Sequence, residues 1–403
     1  MLVLLMQAFF VQGGSEFKLS GDDLGAGTMD GVILDDGTVV LERGTSSLDN
    51  WTEMSAGYPA GRKEPYFIYD DRDGMLALFG GLPSASGLSD GVWLYSLSRN
   101  RWYEPPANGS RMYQAMNMAV YDSWHGVLIV FGGYGRTNDT SVYNVSTREW
   151  MVMHPPRSPP ARSYSAMAFD DRNGLCVLFG GEGNMKDFND TWTYNLTAND
   201  WTEMKPATAP SPRRDMLMAY HKAAGVTVMY GGTTGTGGGK SDLWLYNASN
   251  DTWSKALDSA GLGTMSNTMV YDDADHLLVV FNDADSTIWT YNITSNSWAM
   301  RTPTTKPPVF RGRGMGYDIA NGAIVIMGGS SANANNELIL HDEVWAYNMS
   351  GDTWRQMERP KELPSPRHSH AMVYDESSGK VVMFGGENSS SSSYQLADTW
   401  TYD

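Results

Sequence analysis

The chain has 403 residues and a formal net charge of −17 at pH 7, with 41% hydrophobic and 12% aromatic residues. This balance excludes a disordered protein and argues against a nucleic-acid backbone as partner, which needs clustered basic residues. A single cysteine, Cys176, excludes an intramolecular disulfide framework.

The opening residues, MLVLLMQAFFVQGG, carry an apolar run well short of the roughly 20 residues a spanning helix requires. Two readings stay open here, the remnant of a signal or anchor segment and an apolar packing arm, and membrane contact is expected only through the former. Gly31 to Glu42, GVILDDGTVVLE, sets two β-rich runs around Asp35-Asp36-Gly37 and predicts a hairpin. Residues 1–44 are therefore read as an apolar segment plus a short hairpin, and 45–403 as the main domain.

The main domain repeats. Gly-Gly doublets fall at Gly80-Gly81, Gly132-Gly133, Gly180-Gly181, Gly231-Gly232, Gly328-Gly329 and Gly385-Gly386, with Asn282-Asp283 in the corresponding place of a fifth unit. Their spacing is near the roughly 50 residues of a four-stranded propeller blade. A third strand follows each landmark, with Trp and Tyr two apart on one face: Trp93/Tyr95, Trp192/Tyr194, Trp244/Tyr246, Trp289/Tyr291, Trp345/Tyr347 and Trp400/Tyr402. In the second unit the pattern reads Val142-Tyr143, as if shifted by one.

Fourth strands end at Trp102, Trp150, Trp201, Trp253, Trp298 and Trp354, while Trp51 lies in a fourth strand with no unit before it. The seventh unit stops after its third strand, at Asp403. Joining the two predicts an all-β, seven-bladed propeller, its ring closed by an N-terminal strand that completes the C-terminal blade and removes two exposed sheet edges. Of 14 tryptophans only Trp124 lies outside these positions; it reads as a cover for a blade edge, with an exposed contact as the alternative.

The Gly-Gly doublet after a β-branched strand, the Trp-x-Tyr, the closing Trp and a Pro-Arg opening such as Pro366-Arg367 resemble kelch repeats over about residues 45–403. The resemblance implies a propeller whose inner strands line a central channel. Unit five departs from it by losing both glycines. Kelch-like propellers serve many ends, so the fold leaves function to the site.

Arg62, Arg162, Arg213 and Arg367 recur at one position before the inner strand, where the other units carry Gln114, Thr264 and Phe310, and Arg111, Arg311 and Arg313 lie at nearly the same level. They share a face with the variable loops that follow each Gly-Gly. One reading is an electropositive mouth for an acidic peptide, a glycan or a protein; the other is that each arginine only ties blades together. The main reading is a secreted or cell-surface binding module without a cofactor. A carbohydrate-active enzyme, mutarotase-like or copper-radical-oxidase-like, and a structural subunit of a surface layer or filament stand as alternatives.

Other candidates are weaker. Asn144, Asn195, Asn247, Asn292 and Asn348 each open an Asn-x-Ser/Thr tripeptide and are candidate glycosylation sites in an extracellular chain, or simply turn formers. The acidic hairpins Asp70 to Gly74, Asp170 to Gly174 and Asp272 to Asp275 lack calcium-loop spacing and read as turns. His368 and His370 form the one close histidine pair, and two ligands do not make a metal site.

Overall fold

The computed structural model describes the backbone of three strands before residue 51. From 51 to 402 it describes all residues except 55–58, 60–61, 64–65, 71–72, 80–81, 84–91, 104–117, 134–136, 185, 236–237, 259–266, 273–276, 283–284, 311–313, 319–322, 334, 336–337, 358–362, 376 and 389–394. Two compact units result, one of residues 1–50 with 402–403 and one of residues 51–401. In the first, Met29–Ile33 and Val39–Arg43 pair antiparallel with Val32 opposite Val40, which is the hairpin read around Asp35-Asp36-Gly37. A third strand, Glu16–Leu19, joins its free edge. The apolar opening lies outside the described residues.

The second unit consists of seven four-stranded antiparallel blades. Blade one runs Tyr66–Asp70, Met75–Phe79, Trp93–Ser96 and Arg101–Tyr103; blade two Met118–Asp122, Val127–Phe131, Thr140–Asn144 and Glu149–Met153; blade three Ala166–Asp170, Leu175–Phe179, Thr191–Asn195 and Asp200–Met204. Blade four runs Leu217–His221, Val226–Tyr230, Leu243–Asn247 and Thr252–Leu257; blade five Asn267–Asp272, Leu277–Asn282, Thr287–Asn292 and Ser297–Arg301; blade six Gly314–Asp318, Ala323–Met327, Val344–Asn348 and Thr353–Gln356. Blade seven takes Ala371–Asp375, Lys380–Phe384 and Thr399–Tyr402 from the C-terminal end, and its fourth strand is Trp51–Met54. The N-terminal strand thus closes the ring as expected.

Burial follows from this geometry. A second strand has a neighbouring blade on both faces, so VLIVF at Val127–Phe131 is an unbroken apolar run and wholly buried. Outer strands meet solvent, and Glu149–Met153 and Ser297–Arg301 alternate or stay exposed. The core is split into layers between blades: Ile129 and Phe131 of blade two pack with Met167, Leu178 and Trp201 of blade three.

The repeated aromatics hold those layers. Tyr194 lies 5.0 Å from Trp201 within blade three, and Trp201 lies 5.0 Å from Phe131 of blade two. Tyr246, Trp253 and Phe179 repeat the arrangement one blade on, and Tyr95, Trp102 and Phe384 repeat it across the ring closure. Each indole also reaches back to the preceding blade: Trp102, Trp201 and Trp253 donate to Thr399, Thr140 and Thr191, all at 2.9 Å. Blade two corrects one expectation. Tyr143 stands opposite Trp150 as Tyr194 stands opposite Trp201, so it is in register, and Ser141 occupies the tryptophan position.

Trp124 is 56% exposed, meets Phe169 edge-on at 6.5 Å, and lies over Gly174, where an added Cβ would come within 2.4 Å of the ring. It covers the first hairpin of blade three.

Candidate interaction face

Second strands end, and inner strands begin, on the same side of the ring, and a short backbone ladder joins the two segments there. Ser163 pairs with Glu182, Arg214 with Thr233 and His368 with Glu387. The Gly-Gly doublet links this ladder to the next blade. Gly181 donates its N–H to the Arg213 carbonyl at 2.9 Å, Gly133 to Arg162 at 3.0 Å, Gly329 to Arg367 at 2.8 Å and Gly386 to Arg62 at 3.0 Å. At Gly180 the backbone has φ +63°, and a Cβ would meet the Arg213 carbonyl oxygen at 2.6 Å, so glycine is required twice over.

The arginine side chains turn inward. Arg162, Arg213 and Arg367 are 0%, 1% and 0% exposed, and Arg62 is 3% exposed. Arg162 forms a bidentate pair with Asp190 at 2.6 and 2.7 Å and donates to the carbonyls of Gly180 and Pro160. Arg213 does the same with Asp242 at 2.5 and 3.0 Å, and with Gly231 and Ser211. Arg367 does so with Asp398 at 2.6 Å in both contacts, and with Gly385 and Ser365. The same carboxylates accept the indole N–H of Trp192, Trp244 and Trp400. Burial alone would raise the pKa values of Asp190, Asp242 and Asp398, but the guanidinium and indole hydrogen bonds outweigh it and hold all three below the usual carboxylate range.

The expectation of guanidinium groups converging on an open mouth therefore meets a plain obstacle. Three of them are enclosed, with their donors engaged inside their own blades. Arg111, Arg311 and Arg313 lie outside the described residues. The partner aspartates were missed in the sequence, although each stands two residues before a third-strand tryptophan.

Residues just above the clamps do face the mouth. Tyr164, Asp215 and Ser369 occupy one equivalent position in blades three, four and seven, all with left-handed backbone at φ 56°, 58° and 54°. Left-handed non-glycine residues also close the third-to-fourth-strand turns, so the feature marks a shared backbone geometry of the three blades. The Asp215 N–H donates to the Tyr164 carbonyl at 3.1 Å, joining the two blades. Around them Arg214 pairs with Glu182 at 2.6 Å and lies 3.9 Å from Asp187, and Thr233 donates to Asp215 at 3.2 Å. Burial raises the Asp215 pKa. Three carboxylates thus surround Arg214, with Lys186 and Lys240 on the same loops.

Blade six breaks the pattern. Phe310 stands in place of the clamp arginine and stacks on His341 at 3.4 Å and 6°. Glu343 stands in place of the aspartate, as shown by the Gly328 N–H donating to its carbonyl just as Gly180 donates to that of Asp190. Oε2 of Glu343 and the indole nitrogen of Trp345 are buried without hydrogen-bond partners among the described residues.

The remaining candidates resolve into turns. Asn144, Asn195, Asn247, Asn292 and Asn348 each accept a backbone N–H two or three residues on, at 2.6 to 3.0 Å, which leaves the amide nitrogen, the atom a glycan would take, outside that bond. Asp170 is buried and accepts the N–H groups of Arg172 and Asn173, closing its hairpin from inside. His370 is buried beside His368, and among the described residues no three His, Cys, Asp or Glu side chains gather as a metal-holding group.

Fold and face together define a β-propeller of repeated four-stranded blades with one variable, loop-bearing mouth. Two family models match it: the KLHDC2/KLHL20/DRC7 Kelch-repeats domain over residues 71–263 and the Attractin/LZTR1 beta-propeller over 177–361. The two matches overlap and together run from residue 71 to 361, so the chain is a β-propeller of kelch-type repeats, and they support an interaction module. Among curated proteins it is similar to Mei4-dependent protein 6 of Schizosaccharomyces pombe, at 24% identity over 44% of this chain and 29% of that protein. It is similar to multiple epidermal growth factor-like domains protein 8 of Mus musculus, at 24% over 63% and 10%, and to kelch domain-containing protein 10 of Xenopus tropicalis, at 26% over 40% and 41%. The chain spans less than half the length of each. The solved structure of YjhT shares the fold, with a TM-score of 0.50 and 15% identity over 70% of this chain and 93% of that one.

Proposed function

We propose that this propeller binds a protein partner through the loop-bearing mouth, with Arg162, Arg213 and Arg367 positioning the loops beneath it and making no contact with the ligand. The supporting observation is the repeated, buried clamp of blades three, four and seven beneath loops that differ in length and sequence from blade to blade. Arg162, Arg213 and Arg367 are enclosed and so offer no cation to an acidic ligand. The described mouth offers Glu182, Asp187 and Asp215 around Arg214, so the reading favoured here is a ligand with basic character.

A photo-crosslinking side chain introduced at Tyr164, Thr234 or Ile339 of the loop face should capture the partner. One at Trp124 or Thr147, on the hairpins of the opposite face, should not. Capture from the opposite face alone would overturn the assignment. We further place the protein outside the cell, on the strength of five Asn-x-Ser/Thr turns. Chain secreted from eukaryotic cells should shift in mobility on treatment with an N-glycan-removing amidase, and an unchanged mobility would remove that support.

A further inference from the structure

The repeats make blade six its own control experiment. In blades three, four and seven a carboxylate two residues before the third-strand tryptophan is neutralised by a bidentate arginine. In blade three that guanidinium also stacks on Phe188, 4.0 Å from the ring centre. Phe188 and His341 are equivalent, because each donates its N–H to the second glycine of its doublet and accepts from the arginine of the next blade. Blade six therefore keeps the ring, as His341, and keeps a carboxylate, as Glu343. It has put Phe310 where the cation belongs.

The consequence is a carboxylate whose Oε2 is shut away from water with no described partner, while the residue as a whole remains partly accessible. A carboxylate oxygen in that condition is costly unless a cation or donor reaches it. Nearby on the same face, the apolar surface is uncovered: Val309 is 49% exposed, and Leu338 and Ile339, on the hairpin that leads into His341, are each 41% exposed. The adjoining interface is altered in the same sense. Blade five has Asn282 where other blades have their first glycine, and the Ser286 hydroxyl donates at 2.9 Å to the Pro308 carbonyl, whose equivalents at Pro160, Ser211 and Ser365 accept from the clamp arginine.

We infer that blade six receives an arginine side chain from a partner polypeptide, its guanidinium paired with Glu343 and its apolar neighbours laid on Val309, Leu338 and Ile339. The missing clamp cation is then supplied in trans. This inference rests on the loop face being the binding face, and it adds the chemistry of the ligand. Arginine fits better than lysine because a planar, two-pronged donor pairs with the equivalent carboxylate in blades three, four and seven; with Phe310 already stacked on His341, it reaches Glu343 from the accessible side of that residue.

The test uses the full chain and a fluorescein-labelled peptide of alternating leucine and arginine, alongside its citrulline and lysine counterparts. The arginine peptide should bind. Citrulline should weaken binding by about 10- to 100-fold, the range of a charge-assisted hydrogen bond lost from a buried site, and lysine should fall between them. Glu343→Gln should weaken the arginine peptide by a similar factor without lowering the melting temperature. Phe310→Arg, which restores the clamp in cis, should raise the melting temperature and abolish peptide binding.

Asp258→Asn, which neutralises an acid with a 92% exposed side chain, controls for attraction to an acidic surface. Equal loss of binding in that variant would overturn the inference, as would full binding by Glu343→Gln. If Arg311→Gln or Arg313→Gln lowers the melting temperature and Glu343→Gln lowers it equally, the chain fills its own slot and the inference fails. Crosslinking to a partner from the loop face together with an inert Glu343→Gln would leave the binding face standing and sink only the arginine assignment.

Discussion

The hydroxyl of Tyr143 is buried without an acceptor among the described residues, and the reason is Arg148. In blades one, three, four, five and six the equivalent tyrosine donates to the side chain of a left-handed turn residue five positions on: Asn100, Asn199, Asp251, Asn296 and Asp352, at 2.5 to 3.0 Å. Blade two keeps the turn, with φ 61° at Arg148, but the residue there has no oxygen to offer. Arg148 instead lies 4.6 Å over the Tyr103 ring of blade one.

Arg148→Asn should therefore stabilise the protein. It supplies an acceptor to a buried hydroxyl, worth about 1 kcal/mol, and places a residue that tolerates the left-handed turn, against the loss of an exposed cation–π contact of about 0.5 kcal/mol or more. Denaturant melts of the four proteins made from Arg148→Asn and Tyr143→Phe measure the new bond directly. The phenylalanine change should be nearly neutral in the natural background and costly in the asparagine background.

A second irregularity concerns the outer tryptophans. The indole nitrogens of Trp298 and Trp354 are buried without partners among the described residues, because Leu243 and Ile288 stand where Thr399, Thr140 and Thr191 serve blades one, three and four. Thr191→Val should cost about 1–3 kcal/mol by orphaning Trp253. Ile288→Thr, which in most cores loses stability, should come close to neutral because Trp354 gains its acceptor. Melting curves of the two variants should separate in this order.

The clamps yield a pH prediction. Asp190, Asp242 and Asp398 have pKa values lowered in the folded state, so the unfolded chain binds protons first on acidification. Their contribution is complete above the ordinary carboxylate value near 4 and is lost as pH falls below it. Arg213→Ala should remove this contribution for one blade and leave Asp242 buried without its cation, at about 3–5 kcal/mol near neutral pH. The loss should shrink towards pH 2, where Asp242 is protonated. Urea titrations of wild type and variant across pH 2 to 7 read both effects.

These irregularities mark what the sequence could and could not disclose. The blades were legible because the information is local: Trp192 and Tyr194 share a strand face, and Gly180-Gly181 needs a backbone that few other residues adopt. The join of Trp51 to the last blade was legible by counting. The role of Arg162 was not, because its partner Asp190 is 28 positions away and its burial depends on a loop that folds over it. Recurrence showed that the arginine mattered at each blade, and only the fold shows that it points inward. Tyr143 looked displaced because the missing tryptophan beside it removed the landmark used to align it.

His370 is a buried base that makes the fold sensitive to acid. It sits between blades six and seven, against Gly314, Gly328 and Gly386, as Met216 sits against Gly180 and Gly232 between blades three and four. Neither ring nitrogen has a partner among the described residues. Burial, with Arg367 and His368 adding to it and Asp398 opposing, pushes its pKa down to about 3. The unfolded chain takes up this proton near pH 6.5 and the folded one only near 3, so stability is full above 6.5 and declines through that interval, by several kcal/mol in all. His370→Met places the residue that blade four already uses in the same setting and removes the titration. In wild type, unfolding free energy should begin to fall near pH 6.5; in His370→Met it should hold until carboxylates of the unfolded chain take up protons near pH 4. Identical pH profiles for the two proteins would show that His370 finds a partner in the folded state and does not titrate as described.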